Sequence, residues 1–261
     1  MSIPAGAAQR PSGGPDGNFL LETADLSKDF GGLKALSGVS FGIRPGEIVG
    51  IIGPNGAGKT TLFDLLSGFL PPTAGRIVFR GAPTAGLTPD RLCRLGMART
   101  FQVARPFAAM TVSENLTAAA VFGKPRRRAA REIRREVDEI LALTGLSGAA
   151  RLAAGALSAP QRKRLELARA LSTRPALLLL DEALAGLNPR DVEDALPLVR
   201  SLSAGRGITI LLIEHNIRAV MGLSHRVVVL DFGRLIFDGA PEGAAGDPDV
   251  VRAYLGDCGD A

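Results

Sequence analysis

Gly53-Pro54-Asn55-Gly56-Ala57-Gly58-Lys59-Thr60-Thr61 is the stretch that decides the fold of this chain. It follows the apolar run Ile48–Ile52 and opens onto Leu62, Leu65 and Leu66 at helical spacing. Strand, glycine loop and helix in that order turn the spelling G-x-x-x-x-G-K-[ST] into a phosphate site. The glycines let successive backbone N–H groups turn inward toward an anion, and the helix beginning near Lys59 adds its positive end. In that reading Lys59 reaches the β- and γ-phosphates of a nucleoside triphosphate, and the Thr60 hydroxyl sits on Mg²⁺.

Two more strand-sized apolar runs lie outward from this loop. Ala176–Leu180 ends in Asp181-Glu182, and Ile208–Ile213 ends in Glu214-His215. Fully apolar runs of this length suit a parallel sheet buried on both faces. In such a sheet ligands bind at the carboxyl ends of the strands, where the loop, the acid pair and His215 all fall. Two adjacent carboxylates at the end of an apolar strand are costly without a cation. Asp181 is therefore the candidate Mg²⁺ ligand, directly or through water, and Glu182 the candidate base for an attacking water. His215 is either a hydrogen-bond donor to the γ-phosphate or an ordinary polar strand end, and His225 reads as the latter.

Further strand patterns cover Phe19–Leu26, Val39–Ile43, Arg76–Phe79, Arg226–Leu230 and Leu235–Phe237, the last two flanking a hairpin turn at Asp231–Arg234. Phe30, in the predicted turn Lys28–Gly32, offers either a ring for adenine to stack on or a common turn aromatic. From about residue 86 to 165 helical patterning replaces strand patterning, which predicts a helical subdomain inserted in the α/β core. One of its helices buries Ile133, Val137, Ile140 and Leu141. Its opposite face carries Arg126, Arg127, Arg128, Arg131, Arg134 and Arg135, expected to be solvated. Asn188-Pro189 starts a later helix with Pro197 inside it. Residues 1–17 read as a disordered arm, 18–240 as the body, and 241–261 as a tail with a short helix between Asp247-Pro248 and Gly256.

Composition narrows the class. The chain has 261 residues, 46% of them apolar, and a net charge of +5. That suits one α/β domain with a subdomain. Its two cysteines, Cys93 and Cys258, do not make a disulfide framework, which points to a reducing compartment. Its apolar runs are far short of the roughly 20 residues of a membrane helix. The basic balance fits nucleic acid, an anionic membrane surface or simply a solvated Arg-rich exterior.

Arg99-Thr100-Phe101-Gln102 and Leu157-Ser158-Ala159-Pro160-Gln161 complete the pattern. A phosphate loop, a Gln loop, a signature helix, an Asp-Glu pair and a strand-end His, in that order, resemble the ABC ATPases across residues 19–240. The closer resemblance is to the LIV-type branch, the ATP-binding subunits of branched-chain amino acid uptake systems. It is carried by Ala98–Gln102, Met110-Thr111-Val112-Ser113-Glu114-Asn115-Leu116, Ala185-Gly186-Leu187-Asn188-Pro189, Ile213–Asn216 and the tail Asp247–Gly256.

The resemblance implies a P-loop NTPase (RecA-like) core with an antiparallel β subdomain and an inserted α-helical subdomain. It makes Phe30 the adenine-stacking aromatic, Gln102 a Mg²⁺-binding and membrane-coupling residue, Glu182 the catalytic base and His215 the switch His. It implies ATP and Mg²⁺ as ligands. Two transmembrane permease subunits, an extracytoplasmic substrate-binding protein reached through them and a second ATPase subunit are the implied partners. The implied place is the cytoplasmic face of the bacterial cell membrane, with no nucleic-acid partner. Other transport systems for urea, amides or lipopolysaccharide use related ATPases, and soluble ABC ATPases act on nucleic acid. The signature departs from the family's Leu-Ser-Gly-Gly-Gln, because Ala159-Pro160 replaces the two glycines; Ala183 also stands where Pro is usual. Ser158, expected to touch the partner's ATP, is retained, and Ser158-x-x-Gln161 still spells a capping box. Two such signatures would weaken a homodimer, so the expected partner is a related ATPase with an intact signature.

Overall fold

The computed structural model describes residues 18–101, 105–124, 128–182, 189–214 and 216–255. The predicted arm at 1–17 lies outside them, as do Gln102, Pro125, Arg126, Arg127, Ala183, the segment 185–188, His215, Gly256 and Cys258.

Strands β1 (Leu21–Phe30) and β2 (Leu33–Ile43) pair antiparallel across a tight turn at Gly31-Gly32, which takes positive φ at both residues. Phe30 is thus the last residue of a strand and not part of the turn, because the two glycines alone supply the reversal. β3 (Ile48–Ile52) opens a second sheet and leads into α1 (Lys59–Leu66). The chain then returns to the first sheet through β4 (Ala74–Phe79) and β5 (Ala82–Pro83). α2 (Pro89–Leu95) follows, and β6 (Met97–Arg99) pairs in parallel at the edge of the second sheet. The helical stretch predicted from about residue 86 therefore still holds a strand of the core. Three residues are too few for periodicity to reveal.

After β6 come α3 (Val112–Phe122), α4 (Ala130–Leu143) and α5 (Ala159–Ser172), which pack on one another. β7 (Leu177–Asp181), α6 (Pro189–Arg206), β8 (Thr209–Ile213), α7 (Ile217–Leu223), β9 (Arg226–Asp231) and β10 (Arg234–Gly239) complete the core. Pro197 lies inside α6. The tail forms α8 (Pro241–Gly246) and α9 (Pro248–Leu255).

The smaller sheet has the order β2-β1-β4-β5 and the larger β10-β9-β3-β8-β7-β6. Side-chain alternation divides the interior of the larger sheet. Leu177, Leu179, Leu211, Ile213, Val49 and Ile51 face α1 and the smaller sheet; Leu178, Leu180, Ile210, Leu212, Ile48 and Ile52 face the other core, with α3, α4 and α5. Every residue of β3, β7 and β8 is buried. Each fully buried Leu or Ile contributes about 1.5–3 kcal/mol, and a one-residue slip would exchange the two faces. Register is fixed accordingly: Leu177–Asp181 lies alongside Thr209–Ile213.

His225 is structural, as its sequence context suggests. Its backbone N–H donates to Ile48 O at 2.8 Å, and its Nδ1 accepts the Ile48 amide at 3.0 Å. The Arg-rich helix differs in part from expectation. Arg131, Arg134 and Arg135 are exposed, but the Arg128 side chain is only 8% exposed. Arg128 pairs with Glu132 and Glu136, and Arg174, at the end of α5, pairs with the same two acids. Arg128 stands just before α4, so acids four and eight residues on, both within the helix, lie where they can pair with it.

Candidate functional site

The loop between β3 and α1 is shaped by what presses on it. Gly53 has φ 148°, and a Cβ there would lie 2.1 Å from Leu230 O. Gly58 has φ 97°, with a Cβ position 2.6 Å from Ala35 O. A side chain at either would collide with backbone, so these glycines are required by contact as well as by torsion. The turn after β9 braces the loop: Gly233 N–H donates to Ala57 O at 3.1 Å, and Ser37 N–H to Gly233 O at 2.8 Å. From the other end of the chain, burial holds the Tyr254 phenol of α9 above the usual tyrosine range, and the nearby Gly53 backbone opposes that shift.

Gly58 is the N-cap of α1, in left-handed conformation, and no described side chain caps the helix. The first-turn amides are thus left to the loop's interior. The Lys59 ammonium donates to Gly53 O at 2.7 Å and Pro54 O at 2.8 Å, spanning the loop from inside. Burial pushes Lys59 below the usual lysine range, while the nearby Glu182 carboxylate pulls it back up. Asn55, Gly56 and Thr60 are exposed, Thr61 half-buried and Ala57 buried.

Across β8 from this loop, Asp181 ends β7. Its side chain is 8% exposed, its Oδ2 accepts from Arg99 at 2.7 Å, and its amide donates to Thr100 Oγ1 at 3.2 Å. Glu182 follows with φ 48°, left-handed in a non-glycine residue. Such strain collects at functional sites. Its amide donates to Ile213 O at 3.0 Å and its carbonyl accepts from Lys163 at 3.3 Å, so α5 and β8 together hold the bend. Lys163 sits below the usual lysine range through burial, opposed by Glu214 and Glu182.

The structure therefore brings the loop, Lys59 and Glu182 to one place at the carboxyl ends of the strands, as the sequence order suggests. Phe30 is half-exposed at the end of β1, with Lys28 Nζ 5.1 Å from its ring centre. Ser158 is the N-cap of α5: its hydroxyl accepts the Gln161 amide at 3.4 Å, and Gln161 Oε1 accepts the Ser158 amide at 3.0 Å. The capping box forms with Pro160 in the first helical turn. Gln102 and His215 fall outside the described residues.

Sequence reasoning passed over Arg99, Thr100, Lys163 and Tyr254 as site residues. Only Arg99 and Thr100 had a signal, their place beside Gln102.

Among the described residues no group of three His, Cys, Asp or Glu is arranged to hold a metal. The candidate metal oxygens among the described residues are the Thr60 hydroxyl and the Asp181 carboxylate, a sparse hard-donor set. It suits Mg²⁺, which keeps waters and takes phosphate oxygens, and not an all-protein cage.

Comparison with known proteins agrees with this architecture. Residues 36–185 match the family described as ABC transporter. The chain is 41% identical over 250 residues to the high-affinity branched-chain amino acid transport ATP-binding protein BraF of Pseudomonas aeruginosa, covering 91% of this chain and 98% of that one. It is 41% identical, with the same coverage, to LivG of Escherichia coli K12, which carries the same description. The crystal structure of the ADP conformation of an ATP-binding cassette of an ABC transporter superposes with a TM-score of 0.81 at 34% identity, covering 91% of this chain and 99% of that one. Glycine loop, acid-ended strand, inserted helices and near full-length similarity together show that this chain belongs to the ABC transporter family, as one of its ATP-binding subunits.

Proposed function

We propose that this chain hydrolyses ATP to power uptake of branched-chain or other hydrophobic amino acids. The observation that carries the reading is the convergence of the braced phosphate loop, Lys59 and the strained Glu182 at the carboxyl ends of the larger sheet's strands. Similarity to BraF and LivG over 91% of the chain supports the substrate class.

Residues Gly53–Thr61 wrap the phosphates, with backbone N–H groups donating to their oxygens and Lys59 adding a positive charge at the β- and γ-positions. Phe30 stacks on the adenine. Thr60, Asp181 and Gln102 hold Mg²⁺, which when bound neutralises charge developing on the phosphate oxygens. Glu182 orients the attacking water and takes its proton, and His215 donates to the γ-phosphate. Catalysis is then positioning and charge stabilisation.

Ser158 faces the ATP of a second, related ATPase subunit, which we take to be a different chain with an intact signature. The pair sits on the cytoplasmic face of the cell membrane beneath two permease subunits that receive substrate from an extracytoplasmic binding protein. No helix among the described residues is long and apolar enough to cross a membrane. A groove of about 320 Å³ is lined by Phe69, Phe101, Glu166 and Arg169. We assign it to the permease contact.

The test is uptake of radiolabelled leucine by cells lacking this chain. Uptake should be lost, restored by the wild-type chain and not by Glu182→Gln. Normal leucine uptake in the deletion strain overturns the substrate assignment, and full rescue by Glu182→Gln overturns the catalytic one.

A further inference from the structure

Arg99 has no part in the mechanism above, yet its guanidinium makes three side-chain hydrogen bonds beside the site. Its guanidinium forks between two carboxylates on different elements. Nη1 donates to Asp64 Oδ1 at 2.7 Å and Ser67 Oγ at 2.9 Å, while Nη2 donates to Asp181 Oδ2 at 2.7 Å. The Arg99 side chain is 7% exposed and that of Asp181 8%, whereas Asp64 retains 30% exposure. Phe63, Phe69 and Phe101 surround the guanidinium carbon, their ring centres 5.6, 5.7 and 5.3 Å away. Phe69 and Phe101 meet edge to face at 5.6 Å and 89°. The Nε of Arg99 has no hydrogen-bond partner among the described residues, so its polar attachment is carried by the two terminal nitrogens.

Each contact belongs to a different working part. Asp64 lies in α1, which starts on the phosphate loop, and Ser67 caps its end. Asp181 ends β7, and Phe101 stands beside Gln102 where the chain leaves the core. A planar guanidinium serves two carboxylates from fixed directions at once; an ammonium can also donate to two acceptors but has no fixed fork to set their directions.

We propose that Arg99 is a positioning residue for ATP hydrolysis: it clamps Oδ2 of Asp181 and fixes that carboxylate relative to α1. The proposal rests on the assignment of Asp181 to the metal. With Oδ2 held, Oδ1 is the oxygen available to a cation or its water, and the carboxylate cannot rotate to offer either at random. A guanidinium in direct contact also reduces the charge the carboxylate presents to a second cation. The clamp therefore improves alignment while weakening cation binding. These opposite signs separate it from a residue that only stabilises the fold.

The experiment measures Mn²⁺ binding to the ADP-loaded full chain by electron paramagnetic resonance, and turnover in the reconstituted transporter. Arg99→Met should bind Mn²⁺ roughly threefold to tenfold more tightly, through loss of a competing cation. Its kcat should fall about tenfold or more, with KM for ATP within about twofold of wild type, because alignment and not nucleotide binding is lost. Arg99→Lys should keep Mn²⁺ affinity near wild type with a reduced kcat. Asp64→Asn should lower kcat by a smaller factor, since only the α1 anchor is released. Wild-type kcat in Arg99→Met overturns the proposal, and so does Mn²⁺ affinity that falls together with kcat. If Arg99→Met does not fold, Arg99→Lys and the partly exposed Asp64→Asn decide, and wild-type kcat in both overturns it. Asp181→Asn locates any failure: unchanged Mn²⁺ affinity there removes the metal assignment and the clamp together. Weakened affinity there with a wild-type Arg99→Met removes the clamp alone.

Discussion

The chain has two helix N-termini that the proposed function turns toward ATP, and they are built in opposite ways. α1 begins at Gly58, in left-handed conformation, with no described side chain bonding its first amides. α5 begins at Ser158, in extended conformation, with Ser158 and Gln161 each bonding the other's amide. Both ends leave the same orphan N–H groups. At α1 a glycine cap leaves them for a ligand. At α5 a capping box uses two of them internally, and Pro160 removes a third. Ala159-Pro160 thus leaves the cap of α5 intact while leaving fewer N–H groups to offer an anion. The difference teaches that capping and phosphate binding are rival uses of one set of donors.

The largest effect that could break this contrast is at α1. Lys59→Ala should take ATP hydrolysis below detection while the circular dichroism spectrum stays unchanged, because among the described residues the ammonium bonds only loop carbonyls. Turnover at the wild-type level in that variant would refute the open-end reading. Next in size is Glu182→Gln, which keeps shape and hydrogen bonding but cannot accept a proton. ATP should bind and hydrolysis fall about a hundredfold or more, in line with general-base loss. A loss of only a few-fold, read by phosphate release, would remove Glu182 from the role.

At α5, restoring both glycines with Ala159→Gly and Pro160→Gly should raise the turnover of the isolated chain. One preorganised donor is worth up to roughly 3 kcal/mol, about a hundredfold. No gain would show that the α5 end contributes nothing to a partner's ATP. In a heterodimer, inactivating Glu182 should remove most turnover and inactivating the partner's equivalent little; equal losses would contradict the asymmetry. The smallest effect is Ser158→Ala. Losing one cap costs about 1 kcal/mol, near 2–4 °C in a domain of this size, read as the Tm of the chain alone. A drop without change in the partner-dependent rate would confine Ser158 to capping.

The two ends were not equally legible in sequence. The phosphate loop declares itself because its requirement is local: glycines at fixed offsets, between a strand and a helix, with the lysine close behind. The core was readable for a similar reason, since all-apolar runs such as Leu177–Leu180 and Ile210–Ile213 leave few alternatives to a doubly covered strand. Ser158 and Gln161, three residues apart, were also visible as a cap. Arg99 was not. Its carboxylate partners lie 35 and 82 residues away, and no spacing rule links them. Arg128 misled in the same way, because its burial depends on Glu136 being shared with Arg174, 38 residues further on. β6 escaped through brevity.

The central place of β3 has a consequence for how the protein is made. Its neighbours in the sheet are β8 and β9, and its Ile48 amide bonds His225, 177 residues later. At about 5–20 residues per second a ribosome needs roughly 10–35 s to cover that distance. Throughout that interval β3 shows two unpaired edges and a wholly apolar sequence, the condition under which nascent strands invite wrong pairing. ATP cannot rescue it early. The walls that shape the loop, Leu230 O against Gly53 and Gly233 against Ala57, belong to the last strands of the core to be synthesised. Nucleotide can stabilise only the nearly finished chain, so the growing one depends on chaperones or on the speed with which β8 and β9 insert.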